Sequence, residues 1–265
     1  MTQLENINNM KKEKRILLSF DLEEFDIPEE YGQKLSEEEK LDISSEGLKE
    51  VLKILDELNI RATFFTTAKF ALHDKSIIKE MAKKHEIASH TVCHSTFSSC
   101  DLKESKKILE KITGKEVKGI RMPKLKGFNE RKIKEAGYSY DSSLNPTYLP
   151  GRYNNFFKKR KMHYSYELLE IPVSVTPIIR FPLFWLSFKN FPLFVIKAAS
   201  MINLSIDKYL VLYFHPWEFS DIRRFKLPFY VKRGYFAKNL GKRLKNYLSW
   251  LKTRGKFITF SEARL

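Results

Sequence analysis

Cysteine is scarce in this 265-residue chain, which contains only Cys93 and Cys100. Two cysteines form at most one bridge, which excludes the small secreted proteins that depend on a disulfide framework. A secretory signal is also missing, because the lysine cluster near the start is followed only by the short apolar stretch ILLSF before acidic residues begin. We therefore expect a cytoplasmic protein.

No apolar run in the sequence reaches the ~20 residues that a membrane-spanning helix needs. The most apolar stretch, residues 181–202, is interrupted by Lys189, Lys197 and two prolines. Two alternatives stay open for this stretch. It lies in a membrane interface, with its aromatic rings toward lipid and its lysines toward head groups, or it packs against the protein core.

Acidic residues are too few to balance the basic ones, since 32 Asp and Glu face 48 Lys and Arg and the net charge is +16. The excess is strongest after about residue 150, in the stretches FFKKRK, DIRRFK and YVKRGYFAKNLGKRLK. Such a surface favours an anionic partner, either lipid head groups or a phosphorylated substrate, unless it serves only solubility. The basic stretches are scattered over several predicted elements, so we expect no nucleic-acid partner.

The remaining composition is that of an ordinary globular protein, with 43% hydrophobic and 30% charged residues. We predict a flexible tail over residues 1–14 and a single domain over 15–265, with a basic, aromatic-rich insertion near 150–206. Short apolar strands alternate with amphipathic helices, one of which is predicted to begin near Ser44, with Ser44 and Ser45 as candidate caps. Repeated β-α units indicate an α/β fold with a mostly parallel sheet, open or closed into a barrel.

Reactive side chains recur at the carboxyl ends of the predicted strands. In parallel α/β folds, this edge of the sheet is where active sites are built. We therefore predict that these strand-end residues share one active site. They are Asp21, His90, Arg121, Asp141 and His215.

The stretch EIASHTVCHS places His90 and His94 four residues apart, with Cys93 between them. If a helical turn begins just after the strand, both imidazoles lie on one side and can bind one cation. The spacing also fits two unrelated polar residues, so a metal site requires a third ligand from elsewhere. In the metal interpretation Cys93 faces away and serves as a packing residue.

The acidic stretch SFDLEEFD follows directly after a predicted strand. On an extended chain Asp21 and Glu23 point to one side, whereas Leu22 and Glu24 point to the other. Two carboxylates on one face can divide the work, one holding a metal ion and the other accepting a proton. A solvated acidic loop is the alternative.

Three further strand-end residues suit proton transfer and charge pairing. His215, at the end of the strand in YLVLYFHPWEF, can act as a general acid near neutral pH, or it is a buried structural histidine. Arg121 can orient a neighbouring carboxylate and keep it ionised. Asp141 can support His215 in the converse way.

Five segments, in this order, resemble the motifs of the polysaccharide deacetylase family, also called the NodB-homology or carbohydrate esterase family 4 domain. They are SFDLEE, HTVCH, RMP, YDSS and YFHPWEF. The resemblance covers about residues 15 to 260 and is closest to a subgroup encoded among polysaccharide biosynthesis functions. It implies a distorted (β/α) barrel and metal-dependent hydrolysis of an N-acyl group on a sugar.

The resemblance also implies residue roles. Asp21 would be the base, held by Arg121, and His215 the acid, supported by Asp141. The cofactor would be a divalent metal ion, with zinc expected and cobalt, nickel or iron as alternatives. Its ligands would be Glu23, His90 and His94.

Two positions depart from the family's pattern. Leu22 follows Asp21 where adjacent aspartates are usual, so the acidic ligand must shift to Glu23 or Glu24. Lys124 follows the proline of the third motif where an aromatic residue is usual, at the position whose backbone N–H helps bind the oxyanion.

We therefore predict a hydrolase that removes an N-acyl group, with N-acetyl expected, from a sugar. The sugar would belong to a cell-surface polysaccharide or to its lipid-linked precursor, met at an anionic membrane surface on the inner face of the membrane. The alternative is an inactive barrel that binds glycan or membrane without turnover. We make no prediction of the oligomeric state.

Overall fold

The computed structural model describes residues 13–265. The flexible tail predicted over residues 1–14 falls largely on residues 1–12, which lie outside the described residues. A curled sheet organises the fold, and a separate two-stranded hairpin is formed by β6 and β7. The strands are β1 (Arg15–Leu22), β2 (Thr63–Thr66), β3 (Glu86–Ser89), β4 (Gly119–Ile120), β5 (Tyr140–Asp141), β6 (Tyr148–Leu149), β7 (Tyr153–Asn154), β8 (His163–Ser165), β9 (Leu168–Glu170), β10 (Tyr209–Phe214) and β11 (Lys256–Ile258).

The strand order across the sheet is β10-β1-β2-β3-β4-β5-β9-β8, and β11 also pairs with β1. Neighbouring strands run parallel, except that β8 and β9 are antiparallel. Beyond β9, the Ile171 amide donates to the Asp141 carbonyl and the Ser174 amide donates to the Val211 carbonyl. The segment after β9 therefore links β5 to β10 and curls the sheet, which confirms the predicted distorted (β/α) barrel.

The helices lie between the strands along the chain and bury one face each against the sheet or a neighbouring helix. Residues at helical spacing supply this face, for example Ile78 and Met81 in the helix Lys75–Lys84. The helices are α1 (Glu37–Glu57), α2 (Ala68–His73), α3 (Lys75–Lys84), α4 (Asp101–Thr113), α5 (Glu130–Glu135), α6 (Trp185–Asn190), α7 (Leu193–Ile206), α8 (Phe229–Lys232) and α9 (Leu240–Lys252).

The alternation of side chains along β1 divides them between two cores. Leu18 and Phe20 join the larger core, which they share with helix residues, whereas Leu17 joins the smaller one. Full burial of a side chain of this size contributes about 1.5–3 kcal/mol. Ser19 and Asp21 follow Leu17 at a spacing of two, so the packing that buries Leu17 also fixes the face on which Asp21 emerges.

Helix α1 begins at Glu37, earlier than predicted. The Ser36 hydroxyl accepts from the Glu39 amide at 3.1 Å, and acidic residues in the first turn suit the positive end of the helix dipole. The predicted caps at Ser44 and Ser45 are therefore wrong. Ser44 is buried inside α1 and donates to the Glu23 carbonyl at 2.6 Å.

The apolar stretch 181–202 contains α6 and most of α7. Ile196 and Ala199 are buried against the core, whereas Phe194 keeps 73% of its surface exposed. Of the two alternatives for this stretch, core packing therefore accounts for one face of α7. Among residues 13–265, no helix combines the length and the apolar character that crossing a bilayer requires.

Candidate active site

The five strand-end residues lie at the carboxyl ends of strands, as predicted. His90, Arg121 and His215 each follow directly after the last residue of β3, β4 and β10, and Asp21 and Asp141 lie in the last two residues of β1 and β5. All five are buried. The curled sheet brings the ends of β1, β3, β4 and β10 to one buried centre.

Arg121 holds Asp21. Its Nη1 donates to Asp21 Oδ1 at 2.5 Å and to Ser19 Oγ at 3.0 Å, and its Nε donates to the Ser142 carbonyl at 3.0 Å. The guanidinium carbon lies 4.0 Å from the centre of the Phe65 ring. A buried ion pair is sustained only when further hydrogen bonds satisfy its remaining groups, which these contacts provide. The second oxygen of Asp21 is thereby left to face His215.

Glu23, His90 and His94 converge. Glu23 Oε2 lies 3.0 Å from His90 Nε2 and 3.3 Å from His94 Nε2. One ligand atom from each of the three residues lies within 4.8 Å of the other two. Glu24 instead accepts a hydrogen bond from the Thr67 hydroxyl at 2.8 Å, so Glu23 is the carboxylate that faces the histidines.

The outer nitrogens of both histidines are occupied by other groups. His90 Nδ1 lies 2.7 Å from the Arg121 carbonyl oxygen, and His94 Nδ1 lies 2.8 Å from Asp26 Oδ1. With a proton on Nδ1 in each ring, both Nε2 atoms are directed at Glu23. Partners of this kind fix the tautomer and the ring orientation of metal-binding histidines.

The helical turn that would place His90 and His94 on one side does not form. Residues 91–100 contain no helix, and Thr91 adopts a left-handed backbone with φ +66°. The irregular loop nevertheless returns His94 to the centre, where the two imidazole rings stack with centroids 5.8 Å apart. Cys93 lies outside the converging group, and its sulfur contacts Thr96.

The protonation of the centre reflects its buried charges. Burial alone would lower the pKa of His94, but the carboxylates of Glu23 and Asp26 raise it to about 9. Burial would likewise raise the pKa of Glu23, but His94 and His215 hold it well below its usual range. The carboxylates thus require positive charge beside them, and a bound cation would supply it in place of protons.

His215 lies opposite the converging histidines. Its Nε2 is 3.9 Å from both Asp21 Oδ2 and Glu23 Oε1. On the other side of the ring, Nδ1 lies 3.1 Å from Glu218 Oε1, which also accepts from the His215 amide at 2.7 Å. Burial opposes protonation, but Glu23 and Glu218 outweigh it and raise the pKa of His215. These carboxylates therefore favour the protonated form of the imidazole.

Lys189 lies behind Glu218. Its Nζ is 3.2 Å from Glu218 Oε2 and donates to the Val231 carbonyl at 3.0 Å. The ammonium group also lies 5.5 Å and 5.6 Å from the ring centres of Trp185 and Trp217. Although Lys189 was interpreted as an interruption of an apolar run, it is fully buried and completes a His-Glu-Lys array.

The structure corrects the support predicted for His215. Asp141 was expected beside this histidine, but its carboxylate accepts from the Ser143 hydroxyl, and burial raises its pKa to about 6. Glu218 takes the expected place because the chain turns immediately after β10 and returns this residue over the ring. The spacing of three residues within HPWEF was the signal that could have indicated it.

Sequence reasoning also missed Asp26 and Trp217. Asp26 belongs to the stretch for which a solvated acidic loop was the alternative, but its side chain is buried against His94. Trp217 donates its indole N–H to Glu23 Oε1 at 3.2 Å. Both contacts depend on how loops fold over the sheet edge.

A cleft of about 770 Å³ opens above the centre. Asp21, Glu23, His94 and His215 contribute to its lining. Its walls come from five parts of the chain: residues 27–31, residues 124–125, the β6–β7 hairpin at residues 148–153, residues 181–191, and the start of α8. Aromatic and aliphatic side chains dominate these walls, as in small-molecule and cofactor sites.

Comparison with protein families identifies the chain. A model of the family "polysaccharide deacetylase" matches residues 8–140, half of the chain. The chain belongs to the polysaccharide deacetylase family. Membership places it among the carbohydrate deacetylases, a class of hydrolases. The matched region includes Asp21, Glu23, His90, His94 and Arg121 and ends before His215.

Solved structures share the fold. A protein from Mycobacterium smegmatis described as a polysaccharide deacetylase aligns with a TM-score of 0.63 at 17% identity, over 95% of this chain and 89% of that one. An allantoinase aligns with a TM-score of 0.60 at 17% identity, over the same shares. A carbohydrate esterase family 4 pseudoenzyme from Bacillus anthracis aligns at 0.52 and 15% identity, over 94% and 65%. A search of curated proteins by sequence gives no significant match.

Proposed function

We propose that this protein is an active, metal-dependent carbohydrate N-deacetylase. The observation that supports this most strongly is the composition of the buried centre. A carboxylate and two histidines converge there, and His215 Nε2 lies 3.9 Å from both Asp21 Oδ2 and Glu23 Oε1. Asp21, Glu23, His90 and His215 are buried, His94 is partly buried, and each is held by its own partner.

The residues fit a divalent cation. The donor set of Glu23, His90 and His94 presents one oxygen and two nitrogens, with the outer histidine nitrogens already satisfied. Two imidazoles and one carboxylate suit zinc, and also cobalt, nickel or iron. We propose zinc. When bound, the cation would polarise the acyl carbonyl of the substrate and lower the pKa of a water molecule.

Asp21 and His215 would move the protons. Arg121 occupies one oxygen of Asp21, so the other is free to accept a proton from the attacking water. His215, whose protonated form is favoured by Glu23 and Glu218, would donate its Nε2 proton to the leaving amine. The proposed oxyanion donor is the backbone N–H of Lys124, a residue that lines the cleft.

The position of Leu22 supports an active centre. Leu22 is fully buried in the larger core, on the opposite side of β1 from Asp21. The next residue, Glu23, lies beyond the strand and turns its carboxylate toward the histidines. This geometry favours the active enzyme over the inactive glycan-binding or membrane-binding alternative.

For the substrate, we propose an N-acetylated sugar of a cell-surface polysaccharide or its lipid-linked precursor, met at the inner face of the membrane. Exposed aromatic side chains near the cleft support this proposal, among them Phe191 and Tyr230, which also line the cleft. The net charge of +16 would favour an anionic surface. Phe194 adds apolar surface on the neighbouring helix α7.

Acyl release tests the proposal. Acetate and formate would be measured after incubation with N-acylated sugars, nucleotide sugars and lipid-linked sugars, with each divalent metal added in turn. We expect metal-dependent release from at least one class, and its loss in Asp21→Asn. If metal-loaded protein released no acyl group from any class, the inactive alternative would be favoured.

A further inference from the structure

The cleft contains few basic side chains. Within the described chain, the Lys and Arg residues that line it are Lys124 and Arg152. Lys124 Nζ lies 2.8 Å from Glu30 Oε1, and Arg152 Nη2 lies 2.8 Å from Glu30 Oε2. Lys124 follows β4 and Arg152 lies between β6 and β7, so one carboxylate joins two distant parts of the chain. We call these three residues the cleft-mouth group.

The two cations keep donors to spare. A lysine ammonium has three N–H donors and an arginine guanidinium has five, whereas each contacts Glu30 through one nitrogen. Between 30% and 39% of each of the three side chains remains exposed. Burial alone would raise the pKa of Glu30, but Lys124 and Arg152 lower it, so the group carries one net positive charge.

The backbone at Lys124 is strained. Lys124 and Leu125 adopt left-handed conformations with φ +57° and φ +51°, a region that non-glycine residues rarely occupy. Such strain persists where the surroundings fix it, often at ligand sites. Here the strained turn carries a lysine side chain to Glu30, on the wall of the cleft that holds the buried centre.

We propose that Lys124 and Arg152, positioned by Glu30, form a subsite for a phosphate group carried by the substrate beyond its N-acylated sugar. Both side chains are suited to phosphate, the arginine through its planar fork and the lysine as a point charge. The group lines the same cleft as the buried centre, so one molecule can reach both. This inference deepens the proposed function and rests on it for the identity of the sugar.

Titration with inorganic phosphate tests the subsite without requiring turnover. Calorimetry would use the full-length, chelator-treated protein at constant ionic strength, so that phosphate cannot bind a metal ion. We expect Lys124→Met and Arg152→Gln each to weaken phosphate binding by roughly tenfold, the loss of one charge-assisted contact. The matched control is Lys126→Met, which removes a nearby lysine that does not line the cleft and should bind phosphate like the wild type.

Two results would overturn the subsite. In one, both cleft variants bind phosphate as tightly as the wild type. In the other, Lys126→Met weakens phosphate binding as much as Lys124→Met, which would show that the effect comes from the overall positive charge of the protein. Because this readout is independent of acyl release, the subsite and the deacetylase activity can fail separately.

The source of the phosphate requires a second measurement. The value of kcat/KM would be measured for a phosphorylated and for a neutral N-acetylated sugar, and the ratio of the two values gives the preference. In one arm the phosphate of the substrate is attached to a lipid, and in the other it is attached to a nucleoside. We expect Arg152→Gln to lower the ratio in at least one arm, and that arm identifies the carrier. An unchanged ratio in both arms would contradict a role for the subsite in substrate recognition.

Discussion

The buried centre and the cleft-mouth group pair their charges in different ways. In the centre, Asp21 with Arg121 and Glu218 with Lys189 form pairs whose side chains are at most 4% exposed. At the cleft mouth, Glu30 and its two basic partners are each about one third exposed. Both regions line one cleft, yet water screens only the second.

This difference in exposure indicates different roles: catalysis at the buried centre and substrate recognition at the cleft mouth. Removal of one partner from a buried pair typically costs about 3–5 kcal/mol, because the other charge stays buried without compensation. An exposed pair contributes about 0–1 kcal/mol. The centre is therefore built to hold its groups in place, whereas the cleft mouth leaves N–H donors of Lys124 and Arg152 for a substrate group.

The largest expected effect is on turnover. Asp21→Asn keeps the shape and burial of the side chain but removes the proton acceptor, so we expect the rate to fall by about 10²–10⁴-fold. Metal content should stay at the wild-type level, because Glu23 and both histidines remain. Wild-type rates in the purified variant would show that another residue is the base.

Removal of the buried lysine should cost the most stability. Lys189→Met leaves Glu218 buried beside His215 without its cation, and we expect a loss of about 3–5 kcal/mol in the free energy of unfolding measured with denaturant. Lys197→Met, in the same apolar stretch but only partly buried, should change it by less than about 1 kcal/mol. Equal effects of the two variants would contradict the buried array.

Asp26 should affect metal binding without contacting the metal. Asp26→Asn weakens the carboxylate contact that orients His94, and we expect metal affinity to fall by about 10–100-fold in a competitive chelator titration. Asp42→Asn is the control, since Asp42 is exposed and is not one of the three converging ligands. An unchanged affinity in Asp26→Asn would mean that the loop alone positions His94.

The smallest expected effect is on stability at the cleft mouth. Arg152→Gln breaks an exposed pair, so the free energy of unfolding should change by no more than about 1 kcal/mol, even though phosphate binding weakens. A loss as large as that of Lys189→Met would remove the distinction between the two regions.

The positions of the site residues that lie at strand ends can be predicted from the sequence. The period of two along β1 places Asp21 on the face opposite Leu22, and the order of parallel strands brings His90, Arg121 and His215 to one edge. These features follow from local patterns and from one rule of α/β topology. The predicted fold and the convergence of the predicted ligands therefore agree with the structure.

The residues that support the centre could not be predicted in the same way. A lysine within an apolar stretch usually lies at the surface, and the burial of Lys189 depends on Glu218 and Val231 from later in the chain. Asp26 contacts His94 through two irregular segments whose path depends on tertiary packing. The start of α1 was misplaced because its charged first turn carries no apolar period.

The central claim is that Glu23, His90 and His94 hold a divalent cation, and a zinc titration of the chelator-treated protein tests it most directly. We predict that the wild type binds one ion per chain, that Asp21→Asn binds equally, and that His90→Ala binds none at the same concentrations. The account would be contradicted if the wild type bound none of zinc, cobalt, nickel or iron, or if His90→Ala bound zinc with wild-type affinity.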